Sequence, residues 1–96
     1  MKLEIVAEQV ERQPVHYFCL LSPHHRYDLT IGYSEHFFGK AMVTSMQTGK
    51  MMLLCQEDML DDHIWAEKLG IEAEDVLEFQ DFFRFVLQRS PFQEQY

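Results

Sequence analysis

Tyr27-Asp28-Leu29-Thr30-Ile31-Gly32-Tyr33 is followed by His36-Phe37-Phe38-Gly39-Lys40 and then by Ala41-Met42-Val43-Thr44-Ser45-Met46-Gln47-Thr48-Gly49-Lys50-Met51-Met52-Leu53-Leu54-Cys55, and the reading of this stretch decides the fold. In its first part Tyr27, Leu29, Ile31 and Tyr33 alternate with Asp28, Thr30 and Gly32. That period of two gives a strand one apolar and one polar face. Gly32 inside it points to a bulge or a close approach by another backbone. Thr48-Gly49 lies between two apolar strands, where glycine can take the positive φ of a tight hairpin turn. Met51 to Leu54 has no polar interruption, as for a central strand with both faces covered.

Working outward, Val15 to Leu21 is β-branched and aromatic and closes on Ser22-Pro23, so it reads as a strand, with His24-His25-Arg26 as the turn after it. Residues 2–10 fit two patterns: Leu3, Ile5 and Ala7 alternate, while Leu3, Val6, Ala7 and Val10 have helical spacing. An edge strand is the preferred assignment. From Glu57 the period changes. Leu60, Ile64, Trp65 and Leu69 predict a helix over 58–69, capped by Asp58 or Asp61 and ended by a left-handed Gly70. Glu72, Glu74 and Asp75 load the positive end of a second helix, 73–89, whose buried stripe is Val76, Phe79, Phe83, Val86 and Leu87. Ser90-Pro91 stops it, leaving a tail over 90–96. Strands in a run followed by helices in a run predict an α+β single domain over 1–96. Its antiparallel sheet has four or five strands within about residues 2–56. Two helices pack on one face, with Phe79, Phe83 and Val86 against Leu29 and Leu53.

The 96 residues carry 8 Phe, 4 Tyr, 1 Trp and 6 Met, a heavy apolar load for so small a core. Part of that load is expected at the surface, where a contiguous apolar patch marks a partner or self-association face. The net charge of −8 is unevenly spread. Five acids balance five bases in residues 1–56, whereas residues 57–89 hold ten acids and three bases. Nucleic acid is excluded as a partner, since phosphate binding needs clustered Lys and Arg. The acidic half is either a solvated helix face or a field that steers a basic protein partner. No apolar run reaches the roughly 20 residues of a membrane span. The start of the chain lacks the apolar core of a signal peptide, and Cys19 and Cys55 lie in apolar runs, so a reduced, cytoplasmic protein is expected.

His24, His25 and Asp28, with His36 a loop away, are the candidate metal or ligand residues, imidazole and carboxylate suiting several divalent ions. Adjacent histidines on a strand face opposite ways, and no spacing matches a metal motif, so no metal ligand and no cofactor is assigned. Cys19 with a histidine would make a nucleophile–base pair, but a place between Phe18 and Leu20 in a buried strand favours an inert thiol. Thr48-Gly49-Lys50 lacks the earlier glycines and the following helix of a phosphate-binding loop. No catalytic residue is therefore assigned. Phe37 and Phe38, consecutive in a connection, cannot both face one core, and Phe85 falls among Glu74, Glu78, Asp81 and Gln88 on the polar side of its helix. With Phe82 they form the candidate interface anchors, aromatic side chains being enriched at interfaces.

Arg26-Tyr27-Asp28-Leu29-Thr30, His36-Phe37-Phe38-Gly39-Lys40 and Met46-Gln47-Thr48-Gly49-Lys50, followed by an acidic helical half, resemble a small cytosolic family of Bacillota (Firmicutes), a domain of unknown function, over about residues 25–89. The resemblance implies a bacterial cytosolic protein and carries over no catalytic residue. Residues 1–14 are outside it. Two functions follow. The preferred one is a non-catalytic module that binds a cytosolic protein or itself as a homodimer. The alternative is a small metal- or ligand-binding protein or enzyme using His24, His25, Asp28 and His36.

Overall fold

Four strands, β1 (Val15–Leu21), β2 (Arg26–Tyr33), β3 (Ala41–Ser45) and β4 (Met51–Leu54), form one antiparallel sheet in chain order in the computed structural model, which describes residues 2–88. Phe18 lies opposite Leu29, Ile31 opposite Val43, and Ala41 opposite Leu54. Alternation along each strand then puts Phe18, Leu20, Tyr27, Leu29, Ile31, Tyr33, Ala41, Val43, Met52 and Leu54 on one face. That face is the core side. One α-helix, α1 (Val76–Leu87), follows and buries Phe79, Phe83 and Val86. The fold is α+β, an antiparallel sheet followed by a C-terminal helix.

Rings dominate the core. Trp65 meets Phe83 edge-on at 5.4 Å between centroids, Tyr27 meets Phe79 at 4.9 Å, and Phe18 meets Phe82 at 5.1 Å. Edge-to-face pairs of this kind add about 0.5–1.5 kcal/mol each beyond burial. Phe83, Trp65, Leu29, Ile31, Val43, Leu54, Met59 and Leu69 are fully buried.

Several expectations need correction, among them a central, doubly covered Met51–Leu54, which is instead an edge strand with Met51 exposed. Residues 2–10 form no strand; they take no regular structure and are exposed throughout, so the sheet has four strands. Their apolar residues fall on both parities, which gives a strand no preferred face, and Pro14 has no N–H to continue a ladder. Residues 58–69 are not an α-helix but 3-10 turns at Gln56–Leu60 and Asp62–Ile64 followed by irregular turns. Here aspartate side chains compete for the backbone: Asp58 accepts the Cys55 N–H at 2.9 Å, and Asp61 accepts that of His63 at 3.1 Å. The second helix begins at Val76 after a 3-10 turn at Ala73–Asp75, and the tail over 90–96 lies outside the described residues. Leu54, not Leu53, enters the core, because pairing with Ala41 sets the parity of β4. Gly32 sits in unbroken register with Val15 and Met42, so it makes no bulge, and a Cβ there would meet the side chains of Val15 and Gln13 at 3.6 and 3.9 Å rather than another backbone.

Two glycines take the conformation expected of them. Gly49 has φ +72, although the loop is wider than a two-residue turn: the Ser45 N–H donates to Lys50 across it at 2.9 Å. Gly70 has φ +74, and the Ile71 and Gly70 amides donate to Ala66 and Glu67. This is the double bond of a Schellman cap. It closes the turn without a regular helix before it.

Candidate functional site

The helix and turns cover one face of the sheet. The other face carries Val15, Tyr17, Cys19 and Leu21 from β1, Asp28 and Thr30 from β2, Met42 and Thr44 from β3, and Met51 and Leu53 from β4, as the register requires. Val15, Tyr17, Leu21 and Met51 are 53–78% exposed. Met42 and Leu53 are half-buried. At one end the face closes on a polar cluster. The Tyr17 hydroxyl donates to Asp28 at 2.5 Å, Arg26 pairs with Asp28 at 3.3 Å, and Gln47 donates to it at 3.2 Å. The Tyr17 hydroxyl, against an opposing effect of burial, and then Arg26 hold the Asp28 carboxyl below the usual carboxylate range. The same bond pushes the Tyr17 phenol up.

On the helix side a cavity of about 150 Å³ is lined by Leu20, Leu21, Tyr27, Phe79, Phe82 and the carboxylate of Asp75, among others. Asp75 is buried at the N-cap of α1, where negative charge is favoured by the helix dipole. It accepts from the Tyr27 hydroxyl at 2.6 Å and from the Ser22 hydroxyl at 3.0 Å. The Tyr27 oxygen in turn accepts the Glu72 N–H at 3.2 Å. Burial, then the bond to Asp75, pushes the Tyr27 phenol up to about 12. Both hydroxyls are spent tying the β1–β2 turn to the start of α1, and a phenol held this far above neutrality is a poor general base.

The candidate histidines are drawn to different partners. His25 meets Glu74 at 3.1 Å on the helix side, whereas Asp28 belongs to the open face with Tyr17, Arg26 and Gln47. His36 lies 4.0 Å from Glu11, and the His24 ring stands edge-on to that of His25 at 6.5 Å. Among the described residues, ligand atoms converge instead at His25, Glu74 and Asp75, and at Asp61, Asp62 and His63. Cys19, expected to be buried, is exposed. β1 is an edge strand covered on one face only, and alternation sends Phe18 and Leu20 inward and Cys19 outward.

Of the four aromatic candidates, Phe82 is half-buried and packs among Phe18, Phe79 and Phe83. Phe37 is half-buried too. Phe85 is 58% exposed on α1, and Phe38 is 88% exposed with φ +56. Phe38 and Gly39 are the two central residues of a turn closed by the Lys40 N–H on the Phe37 carbonyl at 3.0 Å. A left-handed backbone costs a bulky L-residue about 1–2 kcal/mol, so an exposed phenylalanine held there is not a stability device.

The open face escaped sequence reasoning although a signal was there. β1 is apolar at both parities, Val15, Tyr17, Cys19 and Leu21 outward against Phe18 and Leu20 inward, and an edge strand apolar on both faces leaves one of them open once the covering elements pack on the other. The link from Ser22 and Tyr27 to Asp75 spans about fifty positions of sequence and left no local signature. Among the described residues, no helix is long and apolar enough to cross a membrane. Comparison with curated proteins finds no match. The family model described as SAV0927-like matches residues 7–85, from the arm before β1 into the last turns of α1. The chain belongs to the SAV0927-like family.

Proposed function

We propose that this chain is a non-catalytic protein-interaction domain of the bacterial cytosol, and that the open face of its sheet is the binding surface. One observation carries the reading: Val15, Tyr17 and Met51 stand more than half exposed on one sheet face, which no element among the described residues covers. Large exposed apolar patches mark interaction surfaces, and tyrosine and methionine are enriched within them. Phe38 and Phe85, exposed on a loop and on α1, are secondary anchors. The polar groups of the helix side serve the fold instead, since Ser22, Tyr27 and Asp75 satisfy one another.

Charging the face tests this. Tyr17→Lys with Met51→Lys should leave the circular-dichroism spectrum unchanged and abolish association, whether with itself in light scattering or with proteins captured from bacterial cytosol. Unchanged association in this variant, or a wild-type chain that associates with nothing, would overturn the proposal.

A further inference from the structure

We propose that residues 2–10 are an exchange arm: the arm of each copy lies on the open sheet face of a second copy of this chain, closing a two-fold dimer with the sheets facing each other. The inference rests on the reading of that face as a binding surface and names its occupant.

The arm is the most exposed apolar segment of the described chain. Leu3, Ile5, Val6 and Val10 are 80–92% exposed, so four aliphatic side chains cover nothing in their own copy. Anchoring begins only at Glu11, which accepts from the Ser34 hydroxyl, and at Pro14, whose carbonyl accepts the Tyr33 N–H at 3.1 Å. Beyond that point nine residues reach about 30 Å if extended, at roughly 3.3 Å per residue. Four strands about 4.8 Å apart make a face about 19 Å wide. An arm leaving the start of β1 can therefore cross the whole face of a facing copy.

Area explains why an arm is needed. With strands of four to eight residues, the face is about 20 Å long on average and so offers roughly 400 Å². A stable interface takes about 800 Å² from each partner. The arm, about 30 Å long and about 10 Å wide with its side chains, supplies roughly 300 Å² more and brings the total near that size.

Charge selects a second copy over a basic partner. Residues 1–56, which contain both arm and sheet, carry five acids and five bases, while the excess of acids lies in residues 57–89. Most of those acids belong to the turns and helix behind the sheet. Facing the two sheets across the exchanged arms thus brings neutral halves together and holds acidic halves apart. A basic protein would be steered to the opposite side. A two-fold contact also needs only one self-complementary surface.

Two measurements on the full chain decide it. Analytical ultracentrifugation should give twice the 11.5 kDa chain mass for the wild type. Leu3→Ser with Ile5→Ser and Val10→Ser should weaken the dimer at least tenfold with an unchanged circular-dichroism spectrum. A maleimide–succinimide cross-linker on the Cys55→Ser variant should then join exposed Cys19 of the face to Lys2 of the arm. In mixtures of nitrogen-14 and nitrogen-15 protein the linked pairs should be mixed, proving that arm and face come from different copies. A wild type that stays monomeric, a dimer indifferent to the arm variant, or cross-links only within one copy would each overturn the exchange. If the monomer still binds another protein, and Tyr17→Lys with Met51→Lys abolishes that binding, the exchange falls while the interaction reading stands. Association that survives both variants overturns both.

Discussion

Replacing Phe83 by Ala removes the ring on which the helix rests. Phe83 is fully buried, 5.4 Å from the Trp65 ring, 5.7 Å from Phe79 and 5.5 Å from Phe82. Returning most of a buried phenylalanine to water costs about 2 kcal/mol. If neighbours relax only partly and leave a cavity on the order of 80 Å³, roughly 24 cal/mol per Å³ adds about 2 kcal/mol. The expected loss, about 4 kcal/mol, is a large share of the roughly 5–15 kcal/mol of a domain this size. Thermally it amounts to a fall of about 15–30 °C. Trp65, the only tryptophan, touches the substituted ring and reports unfolding directly by fluorescence in urea. If the variant retains too little folded protein, Phe83→Leu keeps the test alive at about 1–2 kcal/mol. Leu77→Ala is the control: it lies on the same helix, 74% exposed, and should change stability by no more than about 0.5 kcal/mol. A Phe83→Ala loss below about 1 kcal/mol would refute the packing argument, since no fully buried aromatic leaves a core so cheaply.

Four further outcomes are expected. Tyr27 has a folded pKa raised to about 12 from an ordinary value near 10, so its contribution is complete below about pH 10 and is lost as pH rises toward 12; stability measured across that window should fall in the wild type more steeply than in Tyr27→Phe. Phe38→Gly should raise stability by about 0.5–1 kcal/mol in urea denaturation, because glycine relieves the left-handed strain at a smaller entropic cost. Gly49→Val should cost about 1–2 kcal/mol from the backbone alone, since a Cβ there meets nothing within 4 Å. Gly70→Ala should cost more than an alanine at Gly49, for its Cβ would stand 2.7 Å from Thr48 Cγ2 as well as in a left-handed backbone, and comparing the two alanine variants by calorimetry isolates the clash.

Local chemistry alone determined the strands, three of the turns and the last helix. Alternation over Tyr27–Tyr33 needs no partner to be read, because a pleated backbone turns successive side chains to opposite faces whatever lies nearby. Gly49 and Gly70 announce positive φ because glycine takes it without a Cβ penalty, and Phe79, Phe83 and Val86 share one side of any helix that contains them. Where local preferences balanced, packing decided. The parity of Met51–Leu54 is invisible in a uniformly apolar run and was set by pairing Leu54 with Ala41. Helical spacing over 58–69 yielded to the hold of Asp58 on the Cys55 amide and Lys40, both outside that segment. The candidate surface belongs to the same class. Cys19 and Tyr17 look buried in sequence because apolar residues surround them, and only the placement of every covering element on the far side of the sheet turns them into an open face. Which of two apolar faces is left to solvent depends on where the rest of the chain packs, and that is a property of the tertiary fold.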